Sequence, residues 1–243
     1  MPPEPGALTA VLLPGIDGTG RMFGPLIEQL PDWLTPLALD YPEQEALSYP
    51  DLTARLFDRL PTETPFIIIA ESFAGPLALL LAQKRPPQLR ALVLCATFVS
   101  NPRPWLSKLA PLVLHEWLLA QPPRKWMARL FVTGYDAPDE MLEQALAIHT
   151  RIPPRVTRQR LFAVLGVNVR EVYKHCDMPV LHLYAQHDHL ITAHPTREMQ
   201  RLRPDVKSVG IDGPHFLLQT RPAQCCKEIE SFVTAMGLPF NDA

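Results

Sequence analysis

A chain of 243 residues that is 47% hydrophobic and 20% charged can bury about three quarters of its unfolded surface around one core. Its formal net charge of -2 leaves no excess of cations to neutralise phosphates, which argues against general nucleic-acid binding. No stretch approaches the roughly 18 consecutive apolar residues of a membrane span. The opening Met1-Pro2-Pro3-Glu4-Pro5-Gly6 has no basic region followed by an apolar run, so the expected location is the cytoplasm.

Short apolar runs bounded by turn residues alternate with helix-length segments, the pattern of parallel strands joined by crossover helices. The first expected strand, 7–13, runs into Leu13-Pro14-Gly15-Ile16-Asp17-Gly18-Thr19-Gly20, whose glycines let the backbone turn inward. A second strand is expected at 35–40 and a third at 66–71. In the third, Phe66-Ile67-Ile68-Ile69-Ala70 is apolar at every position, so helices should cover both faces of a doubly wound, mostly parallel α/β sheet. Ala70-Glu71-Ser72-Phe73-Ala74-Gly75 follows directly and opens a helix. A sharp turn there holds Ser72 in a strained conformation with its hydroxyl above the sheet. Ala70 and Ala74 are small enough for such a turn, Gly75 admits the helix close to the sheet, and Pro76 suits a first helical turn.

After a fourth expected strand at 90–97 the alternation stops. The expected organisation is a core of residues 1–100 and 178–243, with 101–177 inserted as a helical cap. Cap helices are expected at 104–120, 124–132, 137–150 and 155–170, broken by Pro122-Pro123, Gly134 and Pro153-Pro154. Trp105, Leu106, Leu109, Leu112, Val113, Leu114, Trp117 and Leu118 either line an apolar pocket or pack the cap helices together. The cap holds eleven Lys and Arg against seven Asp and Glu, with Arg151, Arg155, Arg158 and Arg160 prominent. These make either a solvated helix face or an anion-docking surface.

The fifth strand, 179–186, ends just before Asp188. The sixth, 206–211, leads into Gly213-Pro214-His215-Phe216 and a final helix over 217–236. Serine is a poor nucleophile without a base to take its proton and a third group to orient that base. Open α/β sheets gather their sites at the carboxyl ends of the strands, so separate loops can bring Ser72, Asp188 and His215 together. The developing oxyanion would be met by the Phe73 amide and, from the loop after the first strand, by the Ile16 amide. Asp17 and Glu71, one residue from these atoms, either tune the base, contact substrate, or serve only at the surface or in stabilising a turn. Cys95, Cys176, Cys225 and Cys226 fit neither a disulfide framework nor a zinc site and read as ordinary thiols.

The elbow at Ser72, the Pro14-Gly15 loop, Asp188 after the penultimate strand and the Gly213-Pro214-His215 turn together resemble the α/β-hydrolase superfamily over nearly the whole chain. The resemblance implies Ser72 as nucleophile, His215 as base, Asp188 as its partner, Ile16 and Phe73 as oxyanion donors, and 101–177 as a lid. It implies hydrolysis of a small-molecule ester of an apolar acyl group through an acyl-enzyme, with no cofactor and no metal. The sequence departs from the family pattern in having Ala at the elbow where Gly is usual, Pro14-Gly15 for the usual His-Gly, and no N-terminal antiparallel strands. The basic cap is similar to that of esterases acting on methyl esters of acyl carrier protein. By that likeness Arg151, Arg155 and Arg158 would dock an acyl carrier protein or coenzyme A thioester, while Trp105 is a candidate substrate contact in the apolar pocket. Transfer of the acyl group to an alcohol is a further alternative.

Three competing readings remain. Gly18-Thr19-Gly20 with Gly24 and Asp40 sketches a dinucleotide-binding loop, although its glycine spacing departs from the fingerprint. His182, His187, Asp188, His189 and His194 are residue types that bind a metal when they converge. A non-catalytic binding protein on the same scaffold is the third.

Overall fold

The computed structural model describes residues 8–110 and 114–238. Six strands, β1 Leu8–Leu13, β2 Leu34–Ala38, β3 Phe66–Glu71, β4 Leu89–Cys95, β5 Val180–Ala185 and β6 Lys207–Ile211, pair in parallel in the order β2-β1-β3-β4-β5-β6. Each expected strand is present, with ends moved by one or two residues; position 7 lies outside the described residues. β4 stops at Cys95 because Ala96 turns to φ 46, a left-handed conformation that ends an extended chain.

The first three helices are α1 Gly24–Ile27, α2 Tyr49–Phe57 and α3 Ala74–Gln83. The segment between β4 and β5 contributes α4 Glu116–Leu119, α5 Lys125–Ala128, α6 Asp139–Arg151, α7 Pro154–Gly166 and α8 Arg170–Lys174. The remainder are α9 Ala193–Leu202, α10 Leu217–Thr220 and α11 Pro222–Ala235. Because side chains alternate along a strand, Val11, Ile68 and Leu92 pack on one side with Leu52, Leu77, Tyr173 and Met199 of α2, α3, α8 and α9. Ala10, Ile67 and Val93 pack on the other with Leu26, Leu218 and Ile229 of α1, α10 and α11. Burial of each larger side chain contributes on the order of 1.5–3 kcal/mol.

The inserted segment leaves and rejoins the sheet through paired backbone. Ser100 bridges Asn168 antiparallel, the Asn101 amide donates to Val167 O at 3.1 Å, and the Val169 amide donates to Val99 O at 2.8 Å. The buried carboxylate of Glu198 on α9 accepts from Ser100 Oγ at 2.6 Å and from Arg170 Nε at 2.7 Å, which pins both ends of the insertion. This pairing corrects one expected helix. The segment 155–170 divides into α7 and α8 because residues 167–169 leave the helix to pair with 99–101, and α8 packs on α3 and α9 beside the sheet.

The expected helix 104–120 is also divided, into a 3-10 turn at Pro104–Lys108 and α4, with 111–113 outside the described residues. The segment 124–132 is α5 followed by a π-helical turn, Arg129–Thr133, that Gly134 ends at φ 80. The final helix breaks at Arg221, which takes φ -130 and ψ 43 ahead of Pro222, since a residue before proline is excluded from the helical region. No described helix is long and apolar enough to cross a membrane.

A methyl group at Gly75 would lie 2.1 Å from Thr97 Oγ1, and that hydroxyl donates to Ser72 O, so it cannot rotate away without losing its bond. Gly75→Ala is expected to destabilise by about 1–3 kcal/mol, a fall of roughly 5 °C in melting temperature. Gly166→Ala, with nothing within 4 Å of the added carbon, should leave the melting temperature unchanged or slightly raised in the same thermal melt.

Candidate active site

Ser72 sits between β3 and α3 with φ 52, a conformation that costs a non-glycine residue of order 1–3 kcal/mol. Its backbone is held on both sides. The Ser72 amide donates to Cys95 O at 2.8 Å, and Ser72 O accepts from the Gly75 amide at 3.1 Å and from Thr97 Oγ1. The serine hydroxyl is thereby fixed at the carboxyl ends of the strands, where the topology reverses between β1 and β3 and an open sheet forms its crevice.

Two other loops reach the same point. Asp188, three residues past β5, is held by the amides of Leu190 and Ile191, which donate to its Oδ1 at 2.8 and 2.7 Å. Its Oδ2 accepts a 2.6 Å hydrogen bond from His215 Nδ1. A carboxylate can only accept, so the histidine proton is on Nδ1, and Nε2 accepts from Ser72 Oγ at 3.0 Å. His215 is buried, and burial opposes protonation, but the charge of Asp188, its hydrogen bond and the nearby Glu71 outweigh this and raise the imidazole above its ordinary value.

The loop after β1 lies beside the serine: a methyl placed on Gly15 would be 3.8 Å from Ser72 Cβ. Gly18 and Gly20 take φ 71 and 66 and turn the chain, and the Gly18 amide closes the turn on Gly15 O at 3.1 Å. Two buried tyrosines brace the candidate donors. Tyr41 OH donates to Pro14 O at 2.7 Å, and Tyr49 OH donates to Phe73 O at 3.0 Å while its ring stacks on Phe73 with centroids 4.7 Å apart. Burial raises both phenols well above their usual range, so they stay donors. Among the described residues neither the Ile16 nor the Phe73 amide has an acceptor in the protein, and both residues line the cavity at Ser72.

That cavity, about 580 Å³, has a size typical of small-molecule sites. Its floor is Ser72, His215, Gly15 and Ile16, and its roof comes from the insertion, including Leu106, Leu114, Phe131, Leu146 and Leu161. Trp105 lines it while 62% exposed, which places that indole at the rim. Of the other apolar residues expected at the pocket, Leu109, Trp117 and Leu118 are exposed and do not line it, and Leu112 and Val113 lie outside the described residues.

Asp17 and Glu71 both line the cavity. Asp17 Oδ2 is occupied by the Thr19 amide at 3.0 Å and Thr19 Oγ1 at 2.6 Å, a turn-stabilising arrangement. Glu71 is buried, with Oε2 accepting from Gln219 Nε2 at 3.1 Å and Oε1 without a partner. Burial pushes its pKa up to about 7, against the opposing influence of His215 and Gln219.

The structure does not bring Arg151 or Arg155 to the cavity. Both are exposed, and Arg155 donates to Gln44 O at 3.0 Å. Arg158 turns to Leu114 O and lies over the Phe162 ring. Arg160, expected on a basic surface, is instead 1% exposed, with its guanidinium on the loop after β1. The spacing of Val156, Arg160 and Val164, four residues apart, puts all three on one helical face, a signal for this burial already present in the sequence. Gln219 and Thr97 had no comparable signal.

The histidines do not converge. No metal-binding group of His, Cys, Asp and Glu occurs among the described residues, and His187 Nε2 pairs with Asp212 Oδ1 at 2.9 Å. The glycine loop leads only to a 3-10 turn and the four residues of α1, which is no helix to face a pyrophosphate, and Asp40 pairs with Arg59 at 2.7 Å. All four thiols are free, and burial raises each of them, so they are weak nucleophiles.

Residues 10–228 match the alpha/beta hydrolase family, and the chain belongs to it. No curated protein sequence matches the chain. Solved structures similar to it include an esterase from Exiguobacterium antarcticum, at 12% identity and a TM-score of 0.78 over 95% of this chain and 93% of that one. An enol-lactonase from Burkholderia xenovorans LB400 is similar at 18% identity, TM-score 0.76, over 94% and 92% of the two chains. A bromoperoxidase from Bacillus anthracis is similar at 14% identity, TM-score 0.76, over 94% and 92%. At these identities the likeness is one of fold, and the differing names underline that the fold alone does not select a reaction.

A carboxyl raised in the folded state holds its proton more tightly there than when unfolded, so that contribution to stability is full below the unfolded value and lost as pH climbs through the folded one. Glu71→Gln should therefore gain on the wild type as pH rises from 4.5 to about 7 and level off above, by up to about 3 kcal/mol. Paired thermal melts across that range measure the gap.

Proposed function

We propose that this protein is a serine hydrolase that cleaves a carboxylic ester of an apolar acyl group through an acyl-enzyme on Ser72. The observation that supports this most is the hydrogen-bonded sequence Asp188–His215–Ser72 on the floor of an apolar cavity. Ser72 Oγ attacks the ester carbonyl while His215 Nε2 takes its proton, and Asp188 stabilises the imidazolium that forms. The amides of Ile16 and Phe73 receive the oxyanion. The tetrahedral adduct collapses as His215 returns the proton to the departing alcohol, leaving the acyl group on Ser72. Water then attacks with His215 as base, and the acid is released.

The roof of leucine and phenylalanine side chains favours a hydrocarbon acyl group over a sugar or acetyl group. The carrier-docking alternative loses support from the inward turns of Arg158 and Arg160.

A fluorophosphonate probe should label the wild type and not Ser72→Ala, with ester turnover falling about 10⁴- to 10⁶-fold; a wild type that neither labels nor hydrolyses esters contradicts the reading. Since only neutral His215 accepts a proton, kcat/KM should rise with pH through a midpoint above the ordinary histidine value of 6.5. Asp188→Asn should lower kcat about 10⁴-fold and, with burial then opposed only by Glu71, move that midpoint down. With p-nitrophenyl esters, kcat/KM should climb from acetate through butyrate to hexanoate; a maximum at acetate would exclude an apolar acyl pocket.

A further inference from the structure

Among the described residues the largest fully buried side chain is a cation, Arg160, reaching down from α7 into the rim of the sheet. Its Nη1 donates to Ile16 O at 2.9 Å and to Asp17 O at 2.8 Å, its Nη2 donates to Pro42 O at 3.2 Å, and its guanidinium lies 5.5 Å from the centre of the Tyr41 ring. All three of these hydrogen bonds end on backbone carbonyls. Burying a cation with neutral partners is costly, and a leucine at this position could fill space without that cost. What the guanidinium alone supplies is a grip on two successive carbonyls of the loop whose Ile16 lines the cavity at Ser72 with its amide unpaired among the described residues. Those two dipoles meet at one nitrogen and repel each other without it. The fit is close: a methyl on Gly18 would stand 2.7 Å from both Arg160 Nη1 and the Tyr41 ring.

We infer that Arg160 is a positioning residue, which orients the Ile16 amide toward the developing oxyanion and makes seating of the inserted segment a condition for a complete oxyanion site. The inference rests on the serine-hydrolase reading of Ser72. Arg160 touches no reacting atom and acts through the loop. Its loss should therefore appear in kcat, where the oxyanion exists, more than in KM, which the apolar roof governs.

The test compares wild type, Arg160→Lys, Arg160→Met and Arg160→Ala on p-nitrophenyl hexanoate, with Ser72 labelling by fluorophosphonate and thermal melts alongside. Loss of one oxyanion donor costs about 10²- to 10³-fold in kcat, and Arg160→Met is expected to approach that with KM changed little and the pH midpoint of His215 unmoved. Labelling, which also builds charge on oxygen at Ser72, should slow in parallel. Arg160→Lys, able to serve one carbonyl, should fall between, and guanidinium ion at sub-denaturing concentration should restore part of the activity of Arg160→Ala. A folded Arg160→Met or Arg160→Lys with wild-type kcat overturns the proposal, as does a loss confined to melting temperature. Should Arg160→Met and Arg160→Ala not fold, Arg160→Lys alone decides. A wild type without labelling or turnover removes the hydrolase reading itself, a result distinct from normal wild-type activity with indifferent variants.

Discussion

The site depends on one strained residue. Ser72 holds φ 52 only because its amide, its carbonyl and the space beside Gly75 are each fixed by the end of β4, through Cys95 and Thr97. Relaxing that conformation would swing the hydroxyl away from His215 and carry the Phe73 amide with it. The buried neighbours of the elbow thus serve geometry as much as stability, in the manner expected of strain stored at a functional position.

The inserted segment reaches each loop that meets at the serine. Arg103 donates to His189 O and to Leu190 O beside Asp188, Val132 O accepts from the Phe216 amide next to His215 at 3.0 Å, and Arg160 holds the loop of Ile16. Each contact ends on main chain, so it constrains loop shape rather than side-chain identity. The segment that roofs the cavity therefore also braces its floor.

Burial by that roof sets the electrostatics. In a cavity with few polar groups, charges interact more strongly than in water. Asp188 and Glu71 together raise His215 against the opposing effect of desolvation, and Glu71 retains its proton to about 7. An imidazolium formed at His215 would be met by a carboxylate already in place, Asp188, fixed by two backbone amides.

Apolar runs bounded by turn residues locate all six strands. The four central ones are buried on both faces and so apolar nearly throughout, while the edge strands β2 and β6 are only partly so. The elbow was legible because few residue types fit a tight strand-to-helix turn, and Ser72, Asp188 and His215 because each follows a strand at the edge where such sheets gather their sites. The helices of the insertion were less legible. The break at 167–169 answers to long-range pairing that local propensity does not encode. Arg160 shows the division most clearly. Its charge placed it on a surface by composition, although its spacing from Val156 and Val164 put it on an apolar helical face. The tertiary structure, which sets two carbonyls and a tyrosine ring against that side chain, resolves the conflict in favour of burial. Sequence by itself determined where the strands lie and which side chains are candidates for chemistry, since both follow from local pattern. Which distant backbone atoms those side chains hold was decided by the fold, because partners more than a hundred residues apart meet only once the sheet is assembled.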